Sequence, residues 1–263
     1  MVKVSDIVSY FEKICPIRLC EDWDNPGLLI GDENASVTRV LVCLDVDENV
    51  AREAAEKKCE LIVSHHPVIF HPLKKISASS CEAIIIKNGI SVYSAHTNLD
   101  VANGGLNDYL AEKLGLEKTE ILVPTGEFDG KTVGYGRFAR LKNPEKLLCI
   151  AKKCAEILGA QNVRYCGGDD QIISTVAVNS GGGASMADAC LDKNIDLYIS
   201  GDFKYSNMRD CIGKGLCVID AGHYETEHIV CEWFEEKLKN FDVEIIKSEK
   251  NTNVIKFLKH QRD

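Results

Sequence analysis

The chain begins with apolar residues at helical spacing, and two later segments alternate apolar runs with a polar, amphipathic stretch. The first stripe predicts a helix over residues 5–15 with Ser5 as its cap, and Pro16 ends it. Residues 39–66 contain two β-branched apolar runs on either side of a charged, alanine-rich stretch. That order of strand, helix and strand predicts a βαβ unit.

The same pattern returns in the second half of the chain. Residues 175–202 superpose on residues 39–66 at a constant offset of 136 without a gap. Each unit is followed by an apolar strand that ends in a histidine, and these strands align at an offset of 127. We interpret the repeat as an internal duplication, although two unrelated βαβ units would share much of the pattern. The residues aligned at the strand ends are His96 with His223 and Asp100 with Glu227.

These segments predict an α/β protein built from two similar βαβ-containing lobes. We expect the first lobe to span residues 1–124 and the second to span residues 125–263. A C-terminal helix over about 224–239 would return a metal-ligand pair to a cleft shared by the lobes. Open α/β sheets bind ligands beyond the carboxyl ends of their parallel strands, so we expect the functional site at those ends.

The remaining segments complete the two lobes. Gly-rich turns in residues 124–141 predict a hairpin. Two amphipathic stretches predict helices, and Pro144 occupies the first turn of the second one. The predicted bounds are 106–116 and 144–158 for these helices, with a terminal strand in 243–249 or 253–259.

Composition and charge narrow the functional classes. The 263-residue chain is 45% hydrophobic and 27% charged, which is typical of a globular protein, and it contains neither a signal-peptide pattern nor a membrane-spanning apolar run. Its 12 cysteines form no C-x-x-C pair and lie in apolar stretches, so we expect buried thiols in a reducing cytoplasm. A net charge of -9 disfavours nucleic acid as a partner.

Three short stretches place a histidine beside a carboxylate or a second histidine: LIVSHHP, SAHTNLD and GHYETE. Imidazole nitrogens and carboxylate oxygens are the donors that divalent transition metals bind, and the set suffices for two ions. His65 and His66 end a strand, so we expect their side chains to leave in nearly opposite directions and to serve different metals. His223 and Glu227 are four residues apart at a helix start and would lie on one face, a spacing also common by chance.

Asp100 and His96 are four residues apart in the middle stretch. The carboxylate of Asp100 is the natural hard donor for one of the two ions. His96 has several candidate roles: direct ligation, a hydrogen bond to Asp100, or proton transfer near neutral pH.

A glycine-rich turn and one lysine are candidate contacts for a substrate. Gly181, Gly182 and Gly183 follow a strand and precede a helix, where backbone N–H groups favour an anion. The alternative is a tight structural turn with Ser185 as the helix cap. Lys204 could neutralise a substrate phosphate, or it could be an ordinary surface lysine.

Taken together, the motifs resemble the Nif-three-like, or YbgI-like, family of dinuclear metal-centre proteins, which includes homologues of type 2 GTP cyclohydrolase I. The resemblance covers nearly the whole chain, from EDWDNPGLLIGD through LIVSHHPVIF, SAHTNLD and ISGDFKY to AGHYETE. It implies that the glutamate bridges both ions and that the chains assemble into toroidal homohexamers. The ligands that it implies are His65, His66, Asp100, His223 and Glu227.

Two bridged divalent ions are suited to hydrolysis, because they can activate a shared water and stabilise the attacking and leaving oxygens. The sequence and the resemblance therefore predict a metal-dependent hydrolase acting on a nucleotide-like or other phosphorylated small molecule. The ions could be Zn, Fe, Mn, Co or Ni. The alternative is a ring-forming regulatory or scaffold protein with structural metals that binds protein or DNA.

Overall fold

The computed structural model describes residues 1–258, which divide into two compact units. The first unit combines Met1–Leu106 with Val230–Thr252, and the second contains Asn107–Ile229 together with residues 253–258. Residues 259–263 of the expected second lobe lie outside the described residues. Pro124, near which we placed the boundary, lies inside a strand of the second unit.

The elements alternate along most of the chain. The strands are β1 (Val2–Lys3), β2 (Gly27–Ile30), β3 (Ser36–Val37), β4 (Arg39–Cys43), β5 (Leu61–Ser64), β6 (Ser91–Ser94), β7 (Glu120–Phe128), β8 (Lys131–Lys146), β9 (Arg164–Cys166), β10 (Ile172–Gly182), β11 (Leu197–Gly201), β12 (Cys217–Asp220) and β13 (Glu244–Lys247). The helices are α1 (Val4–Ile14), α2 (Glu48–Glu56), α3 (Cys81–Lys87), α4 (Thr97–Val101), α5 (Leu106–Lys113), α6 (Leu147–Ile157), α7 (Ala187–Asp192), α8 (Tyr205–Gly213), α9 (His223–Glu227) and α10 (Val230–Leu238). None of the helices in the described chain is long and apolar enough to cross a membrane.

The first unit is organised around a five-stranded sheet in the order β13-β4-β5-β6-β2. Strands β13, β4, β5 and β6 are parallel, while β2 runs antiparallel to β6. Every residue of β5 and β6 is buried, as expected for a mostly parallel sheet covered on both faces. The carboxyl ends of β4, β5 and β6 therefore meet at one edge, and each is followed by a polar residue of interest: Asp45, His65 and His96.

The second unit contains a six-stranded sheet in the order β7-β8-β10-β11-β12-β9. Strands β10, β11 and β12 are parallel, and β8 and β9 run antiparallel to them. The predicted hairpin is β7 and β8, joined at Asp129 and Gly130, both of which have positive φ. Because β7 is an edge strand, it tolerates Pro124, which has no N–H to donate. The prediction of an α/β protein containing two βαβ units is confirmed by these two mixed sheets.

The strand registers repeat at the offset that the sequence indicates. In the first unit β4 pairs Val40 with Leu61, and in the second β10 pairs Val176 with Leu197, so both residues move by 136. Strands β6 and β12, which follow the two βαβ units, give a different value for the second offset. Ser64 pairs with Ser94 and Ser200 pairs with Asp220, which makes it 126 where we predicted 127.

The helix starts that follow β6 and β12 have the same offset of 126. His96 precedes the first residue of α4, and Gly222, with φ +97°, occupies the same position before α9. The predicted alignment of His96 with His223 and of Asp100 with Glu227 is therefore wrong by one residue. Glycine suits this position because its φ of +97° is a backbone conformation that other residues rarely adopt.

Several helix ends also differ from the predictions. Helix α1 begins at Val4, with the Asp6 carboxylate accepting the Lys3 N–H at 2.8 Å, so Ser5 is not its cap. Pro144 lies within strand β8, which continues to Lys146, so it does not begin α6. A 3-10 turn (Ala184–Met186) precedes α7, so Ser185 is not a cap. The helix expected over 224–239 is two helices, and the terminal strand lies within 243–249.

Candidate metal centre

His65 follows β5 directly and is completely buried. Its Nδ1 lies 2.7 Å from the carbonyl oxygen of Ala95, which can only accept a hydrogen bond. Nδ1 therefore carries the proton, and Nε2 keeps its lone pair for a metal. Nε2 lies 3.8 Å from Oδ1 of Asp100, a buried residue of α4.

His66 is held by a carboxylate from the neighbouring strand end. Its Nδ1 lies 2.6 Å from Oδ1 of Asp45, whose Oδ2 accepts the Thr252 hydroxyl at 2.7 Å. The rings of His65 and His66 have centroids only 5.2 Å apart. The expectation that these side chains leave in opposite directions is wrong, because β5 ends at Ser64 and strand alternation no longer applies.

His96 is held in the same way by a carboxylate from the loop before β2. Its Nδ1 lies 2.7 Å from Oδ1 of Asp24, and Oδ2 of Asp24 accepts the backbone N–H of Thr97 at 3.0 Å and its hydroxyl. Burial raises the pKa of Asp24, but the hydrogen bonds from His96 and Thr97 outweigh that effect and lower it to about 2. Asp24 is thus ionised at neutral pH.

The three histidines of the first unit form one cluster. One ring nitrogen each of His65, His66 and His96 lies within 4.8 Å of the others. Since every Nδ1 in this cluster already makes a hydrogen bond, Nε2 is the atom that each ring offers to a metal. A set of convergent imidazole nitrogens with a nearby carboxylate fits a divalent transition metal.

In the second unit, His223 and Glu227 lie on one face of the short helix α9, as their spacing predicted. His223 Nε2 is 3.0 Å from Oε2 of Glu227, which is buried, and Nδ1 is 2.7 Å from Oδ2 of Asp202. Hydrogen bonding to Glu227 raises the pKa of His223 to about 9, against the effect of burial, and Asp202 adds to the rise. A metal that binds His223 must therefore displace a proton.

The glycine turn packs against these donors. A Cβ on Gly181 would lie 2.1 Å from Oε1 of Glu227, and its φ of +64° is in the left-handed region. A Cβ on Gly182 would lie 3.5 Å from Oδ2 of Asp202, whereas one on Gly183 would overlap the hydroxyls of Ser200 and Tyr198. Glycine allows the backbone to approach the donor side chains here, and the Gly181 N–H donates to the Thr226 hydroxyl at 2.9 Å.

Comparison with known proteins identifies the family of this chain. A family model described as Duf34/NIF3 (NGG1p interacting factor 3) matches residues 2–254. The chain belongs to the DUF34/NIF3 family. A protein of Clostridium acetobutylicum named GTP cyclohydrolase 1 type 2 homolog is 37% identical, covering 86% of this chain and 85% of that protein.

Solved structures share the DUF34/NIF3 fold. A Bacillus cereus protein related to NIF3 superposes with a TM-score of 0.87 at 27% identity, covering 98% of this chain and 99% of that one. The protein ybgI superposes with a TM-score of 0.74 at 21% identity, covering 94% of this chain and 98% of that one. The predicted resemblance to the Nif-three-like, YbgI-like proteins is confirmed.

Within this DUF34/NIF3 chain, the predicted site residues form one group in each unit. The first unit brings together His65, His66, His96 and Asp100. The second brings together His223 and Glu227, next to Gly181 and Gly182. Lys204 is exposed immediately before α8, two residues after Asp202.

Three carboxylates were missed by the sequence reasoning: Asp24, Asp45 and Asp202. A signal for two of them was present, because Asp202 directly follows the parallel strand β11 and Asp45 lies two residues after the parallel strand β4. Ligands bind at this carboxyl edge of such sheets. Asp202 also has φ 61°, a backbone conformation that aspartate tolerates better than most residues. Asp24 lies in an irregular loop, so only the tertiary fold reveals its contact with His96.

Proposed function

We propose that this protein is a metal-dependent hydrolase whose resident cofactor is a pair of divalent ions, held by His65, His66, Asp100, His223 and Glu227. The observation that carries the proposal is the shared geometry of His65, His66 and His223. Each has Nδ1 within 2.6–2.7 Å of a fixed acceptor, so Nε2 is the atom that each ring offers to a metal. In His223 this Nε2 lies 3.0 Å from Glu227, which is itself a proposed ligand. Carboxylate–histidine pairs of this kind orient ligands in metal sites.

The donor set fits the group that we propose. When bound, two divalent ions supply Lewis acidity and lower the pKa of water, which is the equipment for hydrolysing an ester, amide or phosphate bond. The protein contributes orientation and burial, since Asp45 and Asp202 fix two of the imidazole rings while His65 and Glu227 are shielded from bulk solvent. Mixed nitrogen and oxygen donors suit Zn, Fe, Mn, Co and Ni alike.

We propose a nucleotide-like or other phosphorylated small molecule as the substrate. Support comes from the name of the Clostridium acetobutylicum relative, a GTP cyclohydrolase 1 type 2 homolog. The exposed Lys204 follows Asp202 by two residues and would be available to an anionic substrate. Release of product from a panel of nucleotides, with metal-loaded and chelator-treated protein side by side, tests this assignment.

Metal content tests the centre itself. Protein purified without chelator should carry two divalent ions per chain by inductively coupled plasma mass spectrometry. We expect Asp100→Ala to lose one ion, because it removes a donor to a single metal. Glu227→Ala should lose both, because the resemblance implies that this glutamate bridges them.

A control variant and a measurement of molecular mass distinguish catalytic metals from structural ones. Asp188→Ala removes an exposed carboxylate that pairs with Lys214 and should leave the metal content unchanged. Equal metal retention in Asp100→Ala and Glu227→Ala contradicts the bridge. If chelation changes the mass measured by light scattering while no nucleotide is turned over, the regulatory or scaffold function with structural metals replaces the hydrolase. The toroidal homohexamer stays a prediction that the same light-scattering measurement checks.

A further inference from the structure

Two exposed aromatic rings lie beside the histidine cluster of the first unit. Trp23 is 58% exposed and Phe70 is 39% exposed, although both are large apolar side chains. Their ring centroids are 5.9 Å apart at an interplanar angle of 45°, and they lie 6.1 and 6.2 Å from the ring of His96. Both aromatic rings are therefore neighbours of the His96 imidazole.

The segments that carry this pair are tied in place. The Asn25 side-chain amide donates to the carbonyl of Ile69 at 2.6 Å, which links the loop of Trp23 to that of Phe70. On the other side of Trp23, the Glu21 N–H donates to the Thr97 hydroxyl at 3.0 Å. Asp24, next to Trp23, receives the hydrogen bonds from His96 and Thr97 already described. The two segments that carry the rings are thus tied to each other and to the start of α4.

The surroundings of the pair favour a small planar ligand over an apolar surface. Exposed Asp22 and His71 flank the two aromatic residues in sequence, and His96 lies behind them. Such a polar frame suits a flat ring with hydrogen-bonding edges better than a lipid chain. The net charge of -9 disfavours a polymeric nucleic acid, whereas stacking on an aromatic face needs no positive patch.

We propose that Trp23 and Phe70 form a stacking platform for the planar heterocycle of the substrate, placing its reactive bond towards His65, His66 and His96. The inference rests on the proposed hydrolase, and it specifies a purine-like base as the chemical class that the site recognises. Stacking of a base on an aromatic side chain contributes on the order of tenfold to a hundredfold in affinity.

The two tryptophans of the chain provide a direct probe. Trp233 is 2% exposed and packs against Phe11 and Phe234, so it reports little on ligands at the surface. In Trp233→Phe, fluorescence comes from Trp23 alone. We expect guanosine to quench it saturably, with and without metal, and ribose 5-phosphate at the same concentrations to leave it unchanged.

Substitutions in the pair supply the second measurement. Phe70→Leu in the Trp233→Phe background should weaken guanosine binding about tenfold. By calorimetry Trp23→Leu in the native background should weaken it by as much or more. Both variants should keep the metal content of the wild type. Tyr165→Leu, which alters a part-exposed aromatic residue of the second unit, should bind guanosine like the wild type.

Several outcomes would overturn the platform. It fails if guanosine leaves Trp23 fluorescence unchanged, or if Trp23→Leu and Phe70→Leu bind guanosine as the wild type does. It also fails if the two variants instead lower the oligomeric mass, since the pair is then a contact between copies of the chain. If the wild type carries no metal or hydrolyses no nucleotide, while guanosine binding still depends on both rings, the proposed hydrolase is wrong and the stacking platform is retained.

Discussion

Each histidine of the candidate centre depends on one acceptor for its orientation. His66, His96 and His223 use Asp45, Asp24 and Asp202, at distances of 2.6, 2.7 and 2.7 Å. His65 uses a backbone carbonyl instead. An imidazole without such a partner can rotate or carry its proton on the other nitrogen, so the carboxylates should affect metal affinity without touching the metal.

Asp45→Ala tests this dependence for His66. We expect metal affinity to fall by about 10- to 100-fold, because the ring loses the acceptor that fixes its tautomer. Asp45→Asn, which keeps an acceptor oxygen but no charge, should fall between the wild type and Asp45→Ala. Competition with a metal-binding dye measures the affinities, and Asp188→Ala is the control. Unchanged affinity in Asp45→Ala would mean that the pair with His66 has no part in binding.

The strands and their ends were the most predictable elements. Buried β-branched runs identified β4, β5, β10 and β11, and the offset of 136 matched their register. The second offset could not be read from sequence, because the difference between 127 and 126 is visible only in the pairing of β5 with β6 and of β11 with β12. Equivalent residue types had suggested an alignment that the backbone does not follow.

Long-range contacts explain the other differences. A helix over 224–239 is consistent with periodicity, yet α9 ends at Glu227 and α10 starts at Val230. Helix α10 packs with β4 and β13 in the first unit, whereas α9 belongs to the second. Local pattern carries no information on which unit a segment joins, because both alternatives bury the same apolar face.

Glu53 shows how the C-terminal segment is attached to the first unit. This buried carboxylate of α2 accepts the Ser248 hydroxyl at 2.6 Å, the Glu249 N–H at 3.0 Å and the Lys57 ammonium at 2.8 Å. Burial raises the pKa of Glu53, but these hydrogen bonds lower it by a larger amount. The pKa of Glu53 is therefore below its ordinary value. Glu53→Gln should therefore lower the free energy of unfolding by about 1–3 kcal/mol at neutral pH.

The pH dependence of the stability lost in Glu53→Gln follows from the downward direction of the pKa shift of Glu53. A carboxyl group whose pKa is lowered by folding stabilises the protein above its unfolded pKa, and this contribution disappears as the pH falls through the folded value. The difference between wild type and Glu53→Gln should therefore shrink on acidification. Urea unfolding followed by tryptophan fluorescence measures it, with exposed Glu56→Gln as the control on the same helix. A difference that stays constant into acid would contradict the role of the ionised carboxylate.

The whole molecule is acidic, and several of the proposed metal ligands and their hydrogen-bond partners are carboxylates. Its net charge is -9, and each unit has carboxylates in or next to its own donor group: Asp24, Asp45 and Asp100 in the first, and Asp202 and Glu227 in the second. Divalent ions would offset this concentration of carboxylates. Since the unfolded chain offers no preformed site, binding free energy should add to the free energy of unfolding.

Metal removal should consequently lower the melting temperature. At a free metal concentration of 100 times Kd, one site adds about 2.7 kcal/mol, which for a chain of this size corresponds to roughly 5–10 °C. We expect the full shift between chelated and metal-loaded wild type, a smaller one in Asp100→Ala and none in Glu227→Ala, because these variants lose one ion and both ions. Scanning calorimetry at matched metal concentrations measures the shifts, with Asp188→Ala expected to behave as wild type. If all four proteins gain the same stability from metal, the ions bind somewhere other than this donor set.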